Sequence, residues 1–161
     1  MTGFKENGTN YPYFMATRTT NTNIGDNDNA IGLIPFDSDI KDNGSNFNTT
    51  TYKFVAPIKG LYLFSVGLSI INNNTSGSDE SDDSHTWGFR KNNGITGATS
   101  YELADNWGNR TNNSSELSRG FSISVVLNVN DTMAVYYQNK TNIEILMTSS
   151  IFSGHLVKEF S

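Results

Sequence analysis

The chain has no cysteine, so neither a disulfide framework nor thiol chemistry is open to it. Positive charge is scarce. Arg18, Arg90, Arg110 and Arg119 are scattered along a chain of net charge −5. Without a basic stripe to neutralise phosphates, nucleic-acid binding is not expected. The same balance mildly repels anionic lipid. No apolar run reaches the length that spans a bilayer, so no membrane insertion is expected. The first residues, Met1-Thr2-Gly3-Phe4-Lys5, lack the apolar centre of a signal peptide. Histidine is nearly absent, with only His85 and His155. There is no Ser/His/Asp order and no Gly-x-Ser-x-Gly elbow. Paired carboxylates occur only in loops, where nothing dries them enough to tune a pKa. We therefore expect no enzyme and assign no catalytic residue.

Strand patterns and turn residues make up what is present. Hydrophobic content is 35%, low for a globular chain, but it is concentrated in alternating runs. Between those runs stand Asn, Thr, Ser, Gly and Asp. Roughly one residue in seven is Asn, which suits many turns and left-handed positions. A nucleotide bias in the gene would produce the same richness. Residues 1–11 read as a flexible leader and residues 12–161 as one domain. Strands are predicted at 13–20, 51–56, 60–71, 85–91, about 99–103, 120–129, 132–138 and 143–157. Residues 31–36 and 37–40 read together as one irregular strand, and 21–29 as a polar loop. A change of phase near Ser149-Ser150 suggests a bulge or a break. No helical periodicity and no internal repeat is found. Many short strands with Gly/Asn turns imply an all-β sandwich or barrel.

Residues 52–65 carry the most information. Tyr52, Phe54 and Ala56 alternate with Lys53 and Val55; Pro57 closes that run, and Lys59-Gly60 supplies a turn. Tyr62, Phe64, Val66, Leu68 and Ile70 then form one strongly apolar face. An aromatic strand, a Pro-x-x-Gly turn and a second aromatic strand resemble the signature of the C1q-like domain. Further pieces follow in the same order. Residues 88–94, Gly-Phe-Arg-Lys-Asn-Asn-Gly, are similar to a strand ending in a Lys-Asn-Gly turn, with one extra Asn. Residues 121–131 resemble the alternating strand before a Gly-Asp turn, with Asn130 in place of Gly. Met133 to Tyr137 match the strand after it, and Ile151 to Val157 the closing Phe-x-Gly-x-Leu strand. The resemblance spans about residues 12–158. It implies a two-sheet jelly-roll sandwich of C1q/TNF-like type, a homotrimer, and loops exposed at the apex.

Three sets of residues are candidates for function. Trp107 lies in the polar segment 105–113, read as a loop. A loop-borne indole is a stacking surface for a sugar ring or an apolar group, with Asn106, Asn109 and Arg110 supplying hydrogen bonds. The bland reading makes Trp107 a plug on the end of the barrel. Trp87 shares a strand with Phe89 and belongs to the core. Asp79, Glu80, Asp82 and Asp83 offer the oxygen ligands that calcium takes from a flexible loop. The other reading is a solvated, repelling loop tip. No other cofactor is suggested. Finally, Leu61, Leu63 and Val126 are apolar on the faces opposite the core faces of 60–71 and 120–129, where a water-facing sheet should be polar. We expect Leu63 and Val126 at a subunit interface with Leu146 and Val157. His155 is expected to point toward the trimer axis or a neighbour.

The function expected is a non-enzymatic trimeric surface module. A phage or viral fibre or decoration domain recognising a cell-surface receptor or glycan comes first, with other virion or stalk proteins as partners. Missing disulfides, a missing signal peptide and Asn-rich loops point to a virus or bacterium, hence to a virion or an extracellular location. Two alternatives remain: a structural trimerisation cap on a fibrous or collagen-like stalk, and a soluble extracellular lectin.

Overall fold

Period-two alternation gives the strands one face to bury, and burying it requires a second sheet. The computed structural model describes residues 5–6, 9–24, 31–72, 83–93, 100–107, 116–139, 145–147 and 149–161. Among them every regular element is a strand. A short hairpin pairs β1 (Lys5–Glu6) with β2 (Thr9–Asn10). The other strands are β3 (Tyr13–Thr17), β4 (Thr22–Ile24), β5 (Ile31–Leu33), β6 (Ser38–Asn43), β7 (Phe47–Asn48), β8 (Lys53–Val55), β9 (Gly60–Asn72), β10 (Asp83–Lys91), β11 (Ser100–Trp107), β12 (Glu116–Leu127), β13 (Thr132–Asn139), β14 (Ile145–Met147) and β15 (Ile151–Glu159). All pairings are antiparallel. In the first sheet β9 is central, with β12 on one side and β14 and β15 in succession on the other. β15 leads to β3 and then β6, and β14 leads to β4. In the second sheet β11, β10 and β13 lie in order, and β13 takes both β5 and β8 on its far side.

The predicted core face of β9 is the centre of the molecule: Tyr62, Phe64, Val66, Leu68 and Ile70 are all buried. Val125 and Leu127 of β12, Phe152 and Leu156 of β15, and Phe14 and Ala16 of β3 complete the first sheet's contribution. The second sheet supplies Phe54, Trp87, Phe89, Met133 and Val135. Aromatic rings bridge the sheets. Phe14 lies 4.8 Å from both Phe47 and Phe152 and 5.1 Å from Phe54, centroid to centroid. Such pairs contribute about 0.5–1.5 kcal/mol each beyond burial.

Three departures from the sequence reading have local causes. Residues 31–40 do not form one strand. β5 joins the second sheet and β6 the first, and the chain crosses between sheets with Ile34 and Phe36 buried. Tyr52 stands outside β8 with φ at 60°. Asn48 imposes this, because its Oδ1 accepts from the amides of Thr50 and Thr51, and its carbonyl accepts from Tyr52 N. Val129, in phase with the core face predicted for 120–129, is 53% exposed, because β12 ends at Leu127 and the turn to β13 has begun. The break expected near Ser149-Ser150 is observed, with Ser149 at φ 45° and Ser150 fully buried between β14 and β15.

Candidate functional site

Strand direction and register gather the chemistry-bearing residues at one end of the sandwich. β4, β9, β11 and β13 end there, at Ile24, Asn72, Trp107 and Asn139. β5, β10, β12 and β14 begin there, at Ile31, Asp83, Glu116 and Ile145. Pairing ties these ends together. Asp83 stands opposite Trp107, Ser84 opposite Asn106, and His85 opposite both Asp105 and Asn139. Ile145 is opposite both Asn72 and Ile24, and Glu116 opposite Ile71. The opposite end carries Tyr13, Gly60, Leu127, Thr132 and Glu159.

The first correction follows from that register. Trp107 is not in a strandless loop; it is the last residue of β11, and Asn106 precedes it in the same strand. The β10–β11 pairing brings these candidates for ligand contact beside Asp83, a candidate for metal binding. Asn109, Arg110, Asp79, Glu80 and Asp82 lie outside the described residues. Among the described residues no group of three or more His, Asp or Glu side chains is placed to hold a metal ion.

Beneath this end sits a polar cluster that the sequence reading missed. Arg18 is 3% exposed; its Nη1 donates to the Pro35 carbonyl at 2.8 Å, and its amide to the Ser150 carbonyl at 3.0 Å. Asp37 accepts from the Thr19 amide at 3.0 Å and the Thr20 hydroxyl at 2.9 Å. Partial burial alone would raise the Asp37 pKa. The threonine hydrogen bonds and the charge of Arg18 outweigh it, so the pKa lies below the usual carboxylate value. Burial lowers the Arg18 pKa, and the nearby Asp37 charge works against that shift. The signal was available, because Arg18 continues the buried phase of Phe14 and Ala16.

The proposed interface residues stand on or beside the outward face of the first sheet. Leu63 lies opposite Ser124 on β12 and His155 on β15, and His155 lies opposite Tyr13 on β3. Leu63 is half-buried and His155 exposed. Val126 is 45% exposed opposite Leu61. Val157 is 53% exposed where the β9–β15 register shifts, between Leu156 and Lys158. Leu146 pairs with Ile71. Met15 and Ile151 add exposed apolar surface on the same sheet. Between them the face is made of small residues: Ser65, Ser122, Ser153, Gly67 and Gly120.

The sequence matches the C1q domain family over residues 13–157. The chain belongs to the C1q domain family. Solved structures agree in fold. The globular domain of zebrafish complement 1qA superposes with a TM-score of 0.64 at 16% identity, covering 92% of this chain and 99% of that one. The Eiger TNF of S. frugiperda gives 0.58 at 12% identity, covering 94% of each chain. Murine APRIL at pH 5.0 gives 0.58 at 7% identity, covering 91% of this chain and 99% of that one. No curated protein matches the sequence. C1q and TNF domains are trimeric, non-enzymatic binding modules. The all-β, two-sheet jelly roll expected of the C1q resemblance is the fold observed.

Proposed function

We propose that this C1q domain is a homotrimeric surface-binding module, packed through the outward face of its first sheet and receiving its ligand at the end where β11 terminates. The observation that carries the reading is the outward sheet face. Met15, Val126, Ile151 and Val157 are all at least 39% exposed there, beside half-buried Leu61 and Leu63. A water-facing sheet would be polar at those positions, and exposed apolar side chains gathered on one face call for a partner. Serines and glycines between the apolar side chains let a neighbouring copy approach the sheet closely. Light scattering should give three times the 17.8 kDa chain mass at micromolar concentration; a stable monomer would refute the assembly.

For the ligand, the Trp107 end supports recognition of a receptor or glycan. Asp83 pairs with Trp107, and Asn106 precedes Trp107 at the end of β11; carboxylate, aromatic and amide groups are the residue types that stack on and hydrogen-bond to sugars. We favour a virion fibre or decoration domain, in keeping with the Asn-rich connections and the lack of cysteine. Binding to a glycan array that disappears in Trp107→Ala, with the trimer retained, is the expected result. An array that stays blank for the parent would favour a structural cap on a stalk instead.

A further inference from the structure

Along β10 and β13 the outward face of the second sheet is buried where alternation alone would expose it. On β10, Trp87 and Phe89 point into the core, so Thr86, Gly88 and Arg90 point out. On β13, Met133 and Val135 point in, so Ala134 and Tyr136 point out. Yet Thr86 is 5% exposed, Arg90 8%, Ala134 3% and Tyr136 1%. Arg90 lies opposite Ala134, and Gly88 opposite Tyr136. The Arg90 guanidinium carbon sits 4.0 Å from the centre of the Tyr136 ring. Its Nε is fully enclosed without a hydrogen-bond partner. No ion pair to Arg90 is found among the described residues, where Lys91 pairs with Asp131.

A guanidinium enclosed with no counter-ion among the described residues is costly. Stacking on an aromatic ring offsets only part of that cost. A methionine would fill comparable space on this face with no charge to desolvate. The ring beneath the guanidinium carbon restrains the side chain, and a restrained planar fork is pre-organised to take an oxyanion. The net charge of −5 works against general attraction of anions, so any response to them must be local. We infer that the β10–β13 flank is an oxyanion site, in which Arg90 on its Tyr136 platform takes a carboxylate, sulfate or phosphate group carried by a small ligand.

The chain holds four arginines, so their Nε–H groups can be followed one by one in ¹H–¹⁵N spectra. Arg90→Lys keeps the charge, removes one signal and so assigns it. Sodium sulfate and sodium phosphate are titrated separately, against sodium chloride at matched ionic strength. Melting temperature is not the readout, because sulfate and phosphate stabilise folded proteins by exclusion from their surface. The expected result is a saturable downfield shift of the Arg90 signal with either oxyanion and none with chloride. A signal that stays still, drifts without saturating or follows chloride equally overturns the proposal. A shift that grows with protein concentration rather than with added oxyanion also overturns it, because a neighbouring copy's carboxylate would then fill the site.

Discussion

A β-carbon added at Gly154 would stand 2.5 Å from Phe64 Cδ1 and 2.8 Å from Phe14 Cε1. Glycine here is required for close approach, because those rings pack over the backbone of β15 from both neighbouring strands. Gly154→Ala should therefore overpack the core at a cost of about 1–3 kcal/mol. Phe64→Ala should leave a cavity and cost about 3–5 kcal/mol. Because Phe64 supplies the nearest obstructing atoms, the double mutant should be less destabilised than the sum of the two. Denaturant titration at one fixed protein concentration measures all three; strict additivity would show that the rings do not meet at Gly154. Tyr62 makes a separate prediction. It is 0% exposed and donates to the Ile58 carbonyl at 2.7 Å. Burial raises its pKa to about 12, and the Glu159 charge adds to the shift. A pKa raised by folding stabilises fully below the unfolded value of about 10, and the contribution is lost as pH climbs through the folded value. Phenolate absorbance should contain a late-titrating component that Tyr62→Phe removes, and the same substitution should blunt the loss of stability in alkali.

At the scale of elements, the β12–β13 turn is organised by one carboxylate. Asp131 Oδ2 accepts from the Asn128 amide at 2.8 Å and from Lys91 Nζ at 2.8 Å; Oδ1 accepts from Asn92 Nδ2 at 2.7 Å. Its backbone carbonyl accepts from the Ala56 amide at 2.8 Å. The end of β10, the turn and the segment after β8 are thus joined at one residue. Asp131→Ala should cost about 2 kcal/mol, within the range for charge-assisted hydrogen bonds. Burial alone would raise the Asp131 pKa, but Asn92, Lys91 and Asn128 together hold it below the ordinary value. Its stabilisation is therefore complete above the unfolded value of about 3.9 and is lost as pH falls through the lower folded value. Melting curves across the acid range should be flatter in Asp131→Asn than in the parent; parallel curves would assign the acid sensitivity to other carboxylates. This turn was half legible. The Asn-Asp pair was recognised where a Gly-Asp turn was expected, and Asn130 meets the demand with φ at 69°. The long runs at 60–71, 132–138 and 151–156 were legible because one face of each is wholly committed to the core. Trp107 was not, because a polar segment becomes a strand only when β10 offers it a partner. For the same reason Asp83 and Trp107 could not be seen to meet. They lie on different strands, and only the register of the finished sheet brings them together.

For the whole molecule, the question is what covers the outward face of the first sheet. Rows cross it from strand to strand. Gly120, Gly67 and Ile151 align in one row, Ser122, Ser65 and Ser153 in the next, and Ser124, Leu63 and His155 in a third. The Ser65 and Ser122 hydroxyls share one hydrogen bond at 2.7 Å, which ties the two strands together on this face. Small side chains flanked by the exposed apolar Val126, Ile151 and Met15 fit a neighbouring subunit better than solvent. Val126 is the best probe of the assembly. It is 45% exposed in the single chain, so a charge placed there barely disturbs the core. In a closed trimer the same charge would be buried once per subunit, at a cost on the order of several kcal/mol each. Val126→Asp should therefore keep the strand content of the parent by circular dichroism while scattering light as a monomer. Val129→Asp is the matched control, because Val129 is 53% exposed in the turn beyond β12 rather than on the sheet face. It should remain trimeric. A trimer that survives Val126→Asp, or one that Val129→Asp dissolves equally well, would mean that copies of this C1q domain meet through some other surface.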